Sequence, residues 1–127
     1  MRQLTSILST ATSVAALLGS LMLAPAMATA AEEAKAMTPI EQGNKLAFDN
    51  KKGNCLACHQ IAKGELAGDI GPPLVGMQAR FPDKAKLRAQ IWDSTRANIN
   101  SMMPPFGRNK ILTEDEIDKV VEFIYSL

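Results

Sequence analysis

The chain of 127 residues holds only two cysteines and one histidine, and all three fall in the run Cys55-Leu56-Ala57-Cys58-His59. That clustering sets what the chain can fold around. Two thiols about one helical turn apart can add to the two vinyl groups on one edge of a porphyrin. The next residue then lies beneath the ring with a nitrogen facing the iron, which is why C-x-x-C-H marks c-type haem attachment. A thioredoxin-like redox pair needs a strand-rich βαβ setting, which this sequence lacks. A zinc site needs four ligands, and no further cysteine or histidine exists to complete one. A plain Cys55–Cys58 disulfide is the remaining alternative. His59 falls where haem chemistry requires an imidazole, so the expectation is haem c, one per chain, covalently bound.

The N-terminus reads as an export signal. Arg2 is the only charge among the first 30 residues, and Val14–Ala24 is an apolar run of 11 residues. A membrane span needs roughly 20. Ala26, Ala28 and Ala30 stand at alternate positions suited to signal peptidase. The expectation is a signal peptide over 1–30, cleaved after Ala30 or, as second choice, after Ala28, with one domain over 31–127. No membrane span then remains. Without Arg2, 13 basic residues balance 13 acidic ones. Nothing in that balance suggests nucleic acid or an anionic membrane as partner, and neither is expected. A small domain buries a modest core, and a prosthetic group compensates for it.

An electron-carrying haem usually takes two protein ligands, and with a single histidine the second must differ. Both thiols are consumed in attachment, so methionine sulfur is the natural choice, and a His/Met pair raises the reduction potential. Met37, Met77, Met102 and Met103 lie beyond the signal peptide. Met37 precedes the first helix, and Met77 follows the proline-rich Gly68–Gly76 loop on the histidine side. In the run Ser101-Met102-Met103-Pro104-Pro105-Phe106, Pro104 restrains Met103 directly. Neighbouring side chains of an extended segment point opposite ways, so one sulfur faces the iron while the other cannot. His59 and Met103 are therefore the expected axial ligands, and Met102 is expected to pack. The loop beginning at Gly68, 9 residues past His59, offers rigid carbonyls. Pro72 is the expected acceptor for the second ring nitrogen of His59.

Three helices are legible. Thr38, Pro39 and Glu41 give an N-cap, a first helical position and a capping box, with Ile40, Gly43 and Ala47 on one small face. Thr113 and Glu116 open a second helix whose Ile117, Val120, Val121 and Ile124 form a stripe. The acidic run Glu114–Glu116 complements that helix's dipole or forms a docking patch. Between them, Leu87, Ile91 and Thr95 suggest a third helix. Trp92 is either a donor to a haem propionate or a core tryptophan. Arg80 and Arg96 are candidates to neutralise propionates, and Lys51 and Lys52 either rim an exposed haem edge or serve solubility. No strand pattern or repeat is present.

Together these residues resemble a class I cytochrome c. There an N-terminal helix with a glycine crosses a C-terminal helix bearing an aromatic, matched here by Gly43 and Phe123. CLACH matches the attachment site, GPPL the loop whose proline carbonyl meets the proximal histidine, and MMPPF the distal loop. The resemblance implies an all-α fold, with helices and loops wrapped around one covalently attached haem, and Met103 as distal ligand. Phe48 lies 7 residues before Cys55, farther than in the shortest members. Over about Ile40–Leu127 the chain is similar to the SoxX family, the small cytochrome subunits of SoxAX complexes in sulfur-oxidising bacteria. That similarity implies a periplasmic heterodimer with a larger SoxA-like cytochrome subunit. The complex joins thiosulfate oxidatively to a cysteine of a carrier protein. The small subunit passes electrons onward, to another cytochrome as downstream acceptor. The chain is then an electron-transfer subunit of a thiosulfotransferase-like enzyme, without catalysis of its own. A free diffusible cytochrome and a small-ligand-sensing haem protein are the alternatives.

One covalent haem gives a direct test. The exported protein should exceed its cleaved polypeptide by the mass of one haem, and Cys55→Ala with Cys58→Ala should abolish the increment.

Overall fold

The computed structural model describes residues 36–127. The cleavage sites expected after Ala30 and Ala28 lie outside the described residues. Four α-helices follow one another: α1 Pro39–Phe48, α2 Met77–Arg80, α3 Lys84–Trp92 and α4 Glu114–Tyr125. Short 3₁₀ turns occupy Cys55–Ala57 and Ser94–Arg96. Among the described residues there is no strand, and no helix is long and apolar enough to cross a membrane. The fold is all-α.

Helices α1 and α4 begin where their capping residues dictate. Thr38 Oγ1 accepts the Glu41 N–H at 3.2 Å, and Glu41 Oε2 accepts the Thr38 N–H at 2.7 Å. Thr113 and Glu116 repeat the exchange at 3.2 and 2.9 Å. Each box satisfies two of the N–H groups that a helix start leaves unpaired.

α4 is the spine of the domain, with α1, α2 and α3 all packed against it. Its Ile117, Val120, Val121, Phe123 and Ile124 are buried, and each contributes on the order of 1.5–3 kcal/mol. Leu87 and Ile91 of α3 join the same core, with Ala47, Met77, Phe106 and Leu112. α1 meets α4 at Gly43, where a Cβ would fall inside the Lys119 carbonyl and crowd Phe123. Beside this crossing the Phe48 and Phe123 rings stand 6.2 Å apart, tilted by 56°. Phe48 thus packs on α4 despite its longer separation from Cys55. Ile40 departs from the small face expected of it and is 44% exposed. Crossed helices diverge away from their contact point, so the first turn of α1 is left without a neighbour.

α3 is shorter than its sequence suggests. It stops at Trp92 because Asp93 turns its carboxylate onto the backbone N–H and hydroxyl of Thr95, starting the 3₁₀ turn. Asp93 is buried and also pairs with Arg108 at 3.1 Å. Thr95 therefore lies beyond the helix rather than on the face of Leu87 and Ile91.

Gly43→Ala tests the crossing. In an open helix the change would stabilise by roughly 0.5–1 kcal/mol. Here the Cβ collides with backbone, so a net loss of about 1–3 kcal/mol is expected, read as a lowered thermal midpoint.

Candidate haem site

The attachment segment is bound to both long helices. Asn54 takes the left-handed backbone, φ 46°, immediately before the 3₁₀ turn. Asparagine tolerates that region better than most residues. Gly53 donates its N–H to Leu46 O at 3.0 Å, tying the segment to α1. Lys52 Nζ reaches Glu116 Oε1 at 2.8 Å, tying it to α4. That ammonium, and the capping bond to Thr113, hold the Glu116 carboxyl below its ordinary range. Lys52 is thus engaged within the fold, whereas Lys51 is exposed.

Cys55 and Cys58 are free thiols, each half-buried. Burial pushes the Cys55 thiol up to about 11, and the neighbouring Cys58 adds to the shift against a backbone hydrogen bond that lowers it. His59 follows on the same short turn, its N–H bonded to Cys55 O at 2.9 Å. The ring's Nδ1 lies 2.7 Å from the carbonyl oxygen of Pro72. A carbonyl only accepts, so Nδ1 carries the proton and Nε2 presents a free lone pair. Gly71 lies flat against the imidazole: a Cβ there would overlap the ring. Its N–H donates to Cys58 O at 2.7 Å, so the proline-rich loop is tied to the turn it supports.

These groups open onto one cavity of about 680 Å³, within the range of sites that enclose a cofactor. Cys55, Cys58, His59 and Pro72 line it together with Met103, and Leu74, Met77, Leu87, Ile91, Phe106 and Val120 add apolar wall. Met102 and Met103 both border it, but differently. Met102 is 78% exposed, and Met103 is half-buried against the hydrophobic core. Met102 is accordingly not the packing residue expected from sequence. The Met103 carbonyl accepts from Ser94 Oγ at 3.1 Å, and its N–H donates to Ser101 Oγ at 3.3 Å. Two thiols, an imidazole held in one tautomer, a thioether and an apolar wall are the donor set that c-type haem requires. The residues present fit it.

The remaining candidates separate. Arg80 borders the cavity and donates through Nη1 to Pro73 O at 2.6 Å, bracing the loop that holds His59. Trp92 does not border the cavity. Its indole N–H donates to Glu114 Oε1 at 2.9 Å, and Gly107 packs against the ring so closely that a Cβ would overlap it. The donor role toward a propionate is thus corrected, because Trp92 spends its N–H on α4 and supports the segment after the methionine pair. Arg96 is exposed and also lies outside the cavity lining. The acidic run is used internally. Glu114 pairs with Arg88 at 2.6 Å, and Asp115 with Lys119 at 2.6 Å. Arg88 and Trp92 hold the Glu114 carboxyl below its ordinary range. Sequence reasoning missed Ser94, Ser101 and Gly71. A hydroxyl two residues before a loop residue was a visible signal for Ser101. Ser94, at 0% exposure, comes into contact only through the tertiary fold.

The comparisons with known proteins bear on the family and the fold. Residues 38–124 match the family described as "Cytochrome C oxidase, cbb3-type, subunit III". No curated protein matches the chain. A solved structure titled "Crystal structure of SoxXA from P. pantotrophus" is similar, with a TM-score of 0.63 and 29% sequence identity. The likeness covers 72% of this chain and 83% of that one. It supports electron transfer through covalently bound haem c. The chain belongs to this cytochrome c family, with a class I fold similar to that of SoxX.

Proposed function

We propose that the protein is a periplasmic, monohaem electron-transfer subunit that pairs with a larger SoxA-like cytochrome. Together they oxidatively conjugate thiosulfate to a cysteine of a carrier protein. The partnership rests on the 29% identity to a SoxXA chain across 83% of its length. Bound between these walls, the haem supplies an iron that gains or loses one electron.

In this reading Cys55 and Cys58 would hold the group by thioethers, and His59 would offer Nε2 to its iron. Pro72 keeps the tautomer fixed, and Gly71 keeps the ring from tilting. Met103, which lines the same cavity, would offer its thioether to the iron, with the apolar lining excluding water. Arg80 stands beside the proximal loop with its guanidinium available to a carboxylate of the bound group. Apart from Cys55 and Cys58, which the attachment consumes, the described chain has no thiol for sulfur chemistry, and electrons from the conjugation are received rather than generated here. Electrons then leave to a downstream acceptor, another cytochrome.

Met103→Leu should abolish the weak sulfur-to-iron charge-transfer band of the oxidised protein and lower its reduction potential. Met102→Leu, on an exposed side chain, should leave both nearly intact. The partnership is tested by reconstitution. Thiosulfate plus the carrier should reduce this cytochrome only when a SoxA-like partner is present, and Met103→Leu should slow that reduction while leaving complex formation intact. Turnover by the isolated chain would refute the division of labour. Failure to bind any such partner would favour a free diffusible cytochrome.

A further inference from the structure

Both polar groups of the Met103 backbone are taken by serine hydroxyls, and the two hydroxyls meet each other. Ser94 Oγ lies 3.1 Å from Met103 O and 2.7 Å from Ser101 Oγ, and Met103 N lies 3.3 Å from Ser101 Oγ. Each hydroxyl has one proton to give. A carbonyl cannot donate, so the Ser94 proton goes to Met103 O. The proton between the two hydroxyls must then come from Ser101, whose oxygen accepts the Met103 N–H. Every direction is thereby assigned. The circuit leaves Met103 by its N–H, passes through Ser101 and Ser94, and returns to its carbonyl.

Ser94 is a firm anchor for this circuit. It is fully buried at the start of the 3₁₀ turn, and its own carbonyl accepts the N–H groups of Ala97 and Asn98 at 3.1 and 3.0 Å. Ser101 in turn donates its N–H to Asn98 O at 2.9 Å. Pro104 follows with a fixed φ and no N–H. The backbone of Met103 is held on both sides, while Met102 receives no such grip from either hydroxyl.

We propose that Ser94 and Ser101 are positioning residues that lock Met103 toward the iron. The proposal rests on Met103 being the distal ligand. A thioether is a weak ligand, and an outside base competes with it. Its hold therefore depends on how little its segment gains by swinging away.

The test is a titration of the oxidised holoprotein with imidazole, followed through the shift of the main haem absorption in every variant, with the sulfur-to-iron charge-transfer band read beside it where Met103 is present, and checked against thermal unfolding. Ser94→Ala and Ser101→Ala should each tighten imidazole binding on the order of tenfold, the worth of one hydrogen bond. Ser101→Thr, which keeps the hydroxyl, should bind imidazole as the parent does. Met103→Leu should bind it more tightly still, and adding Ser94→Ala to it should change nothing further. A lower melting temperature with unchanged imidazole affinity would overturn the proposal, since the serines would then only pack. Equal tightening by Ser94→Ala with and without Met103 would also overturn it, because the effect would lie in the cavity at large. Retention of the band in Met103→Leu would remove the ligand assignment, and this proposal with it. Should Ser94→Ala fail to fold, Ser101→Ala on a partly exposed residue carries the same reading.

Discussion

The close crossing of α1 and α4 at Gly43 is the constraint on which the remaining geometry depends. Because no side chain separates the helices there, α1 sits with its backbone against the Lys119 carbonyl. Phe48 is thereby brought to Phe123, and the segment following α1 starts close to α4. Two short tethers then place the attachment turn: the Gly53 N–H on Leu46 and the Lys52 ammonium on Glu116. A wider crossing would carry the whole attachment turn away from the wall formed by Val120 and Ile124. One missing methyl group therefore sets the position of residues 10 and more positions downstream.

The two walls of the cavity are built by different means. On the histidine side, rigidity comes mainly from backbone: Gly71 against the ring, its N–H on Cys58, and the Pro72 carbonyl on Nδ1. On the methionine side it comes from side chains, through Ser94 and Ser101. Prolines stand in both loops and narrow the unfolded ensemble, which lowers the entropy cost of holding either one. Among charged groups, Arg80 braces the proline-rich loop through Pro73 O, and Lys52 tethers the attachment turn to α4. Lys52, Arg88, Lys84 and Lys119 form ion pairs with α4 or within it, largely at the surface. Such pairs contribute little stability individually.

Those differences explain what could be read in advance from the chain. Both capping boxes, the stripe of α4, the Gly43 crossing and the acceptor at Pro72 follow from local rules: a cap three residues from its partner, a 3.6-residue period, a carbonyl at fixed distance from a histidine. The errors arise where a local signal met a tertiary competitor. α3 looked longer because Leu87, Ile91 and Thr95 keep helical spacing, but the Asp93 carboxylate offered the backbone a better partner than another helical turn. Trp92 stood where a donor was wanted, yet Glu114 arrives from 22 residues away to take its N–H. Met102 was expected to pack in the core, but it borders the cavity instead, and the serines hold only its neighbour. Ser94 left no trace in any sequence pattern, since its partners come together only when the loop closes.

The elevated Cys55 thiol has a consequence in time rather than in space. Thiolate, the form that attacks, is scarce when a thiol titrates near 11. A polypeptide that closed around its own cysteines first would present a protonated, half-hidden sulfur to the porphyrin edge. Attachment is therefore favoured while the thiol is still in water, before the fold buries it.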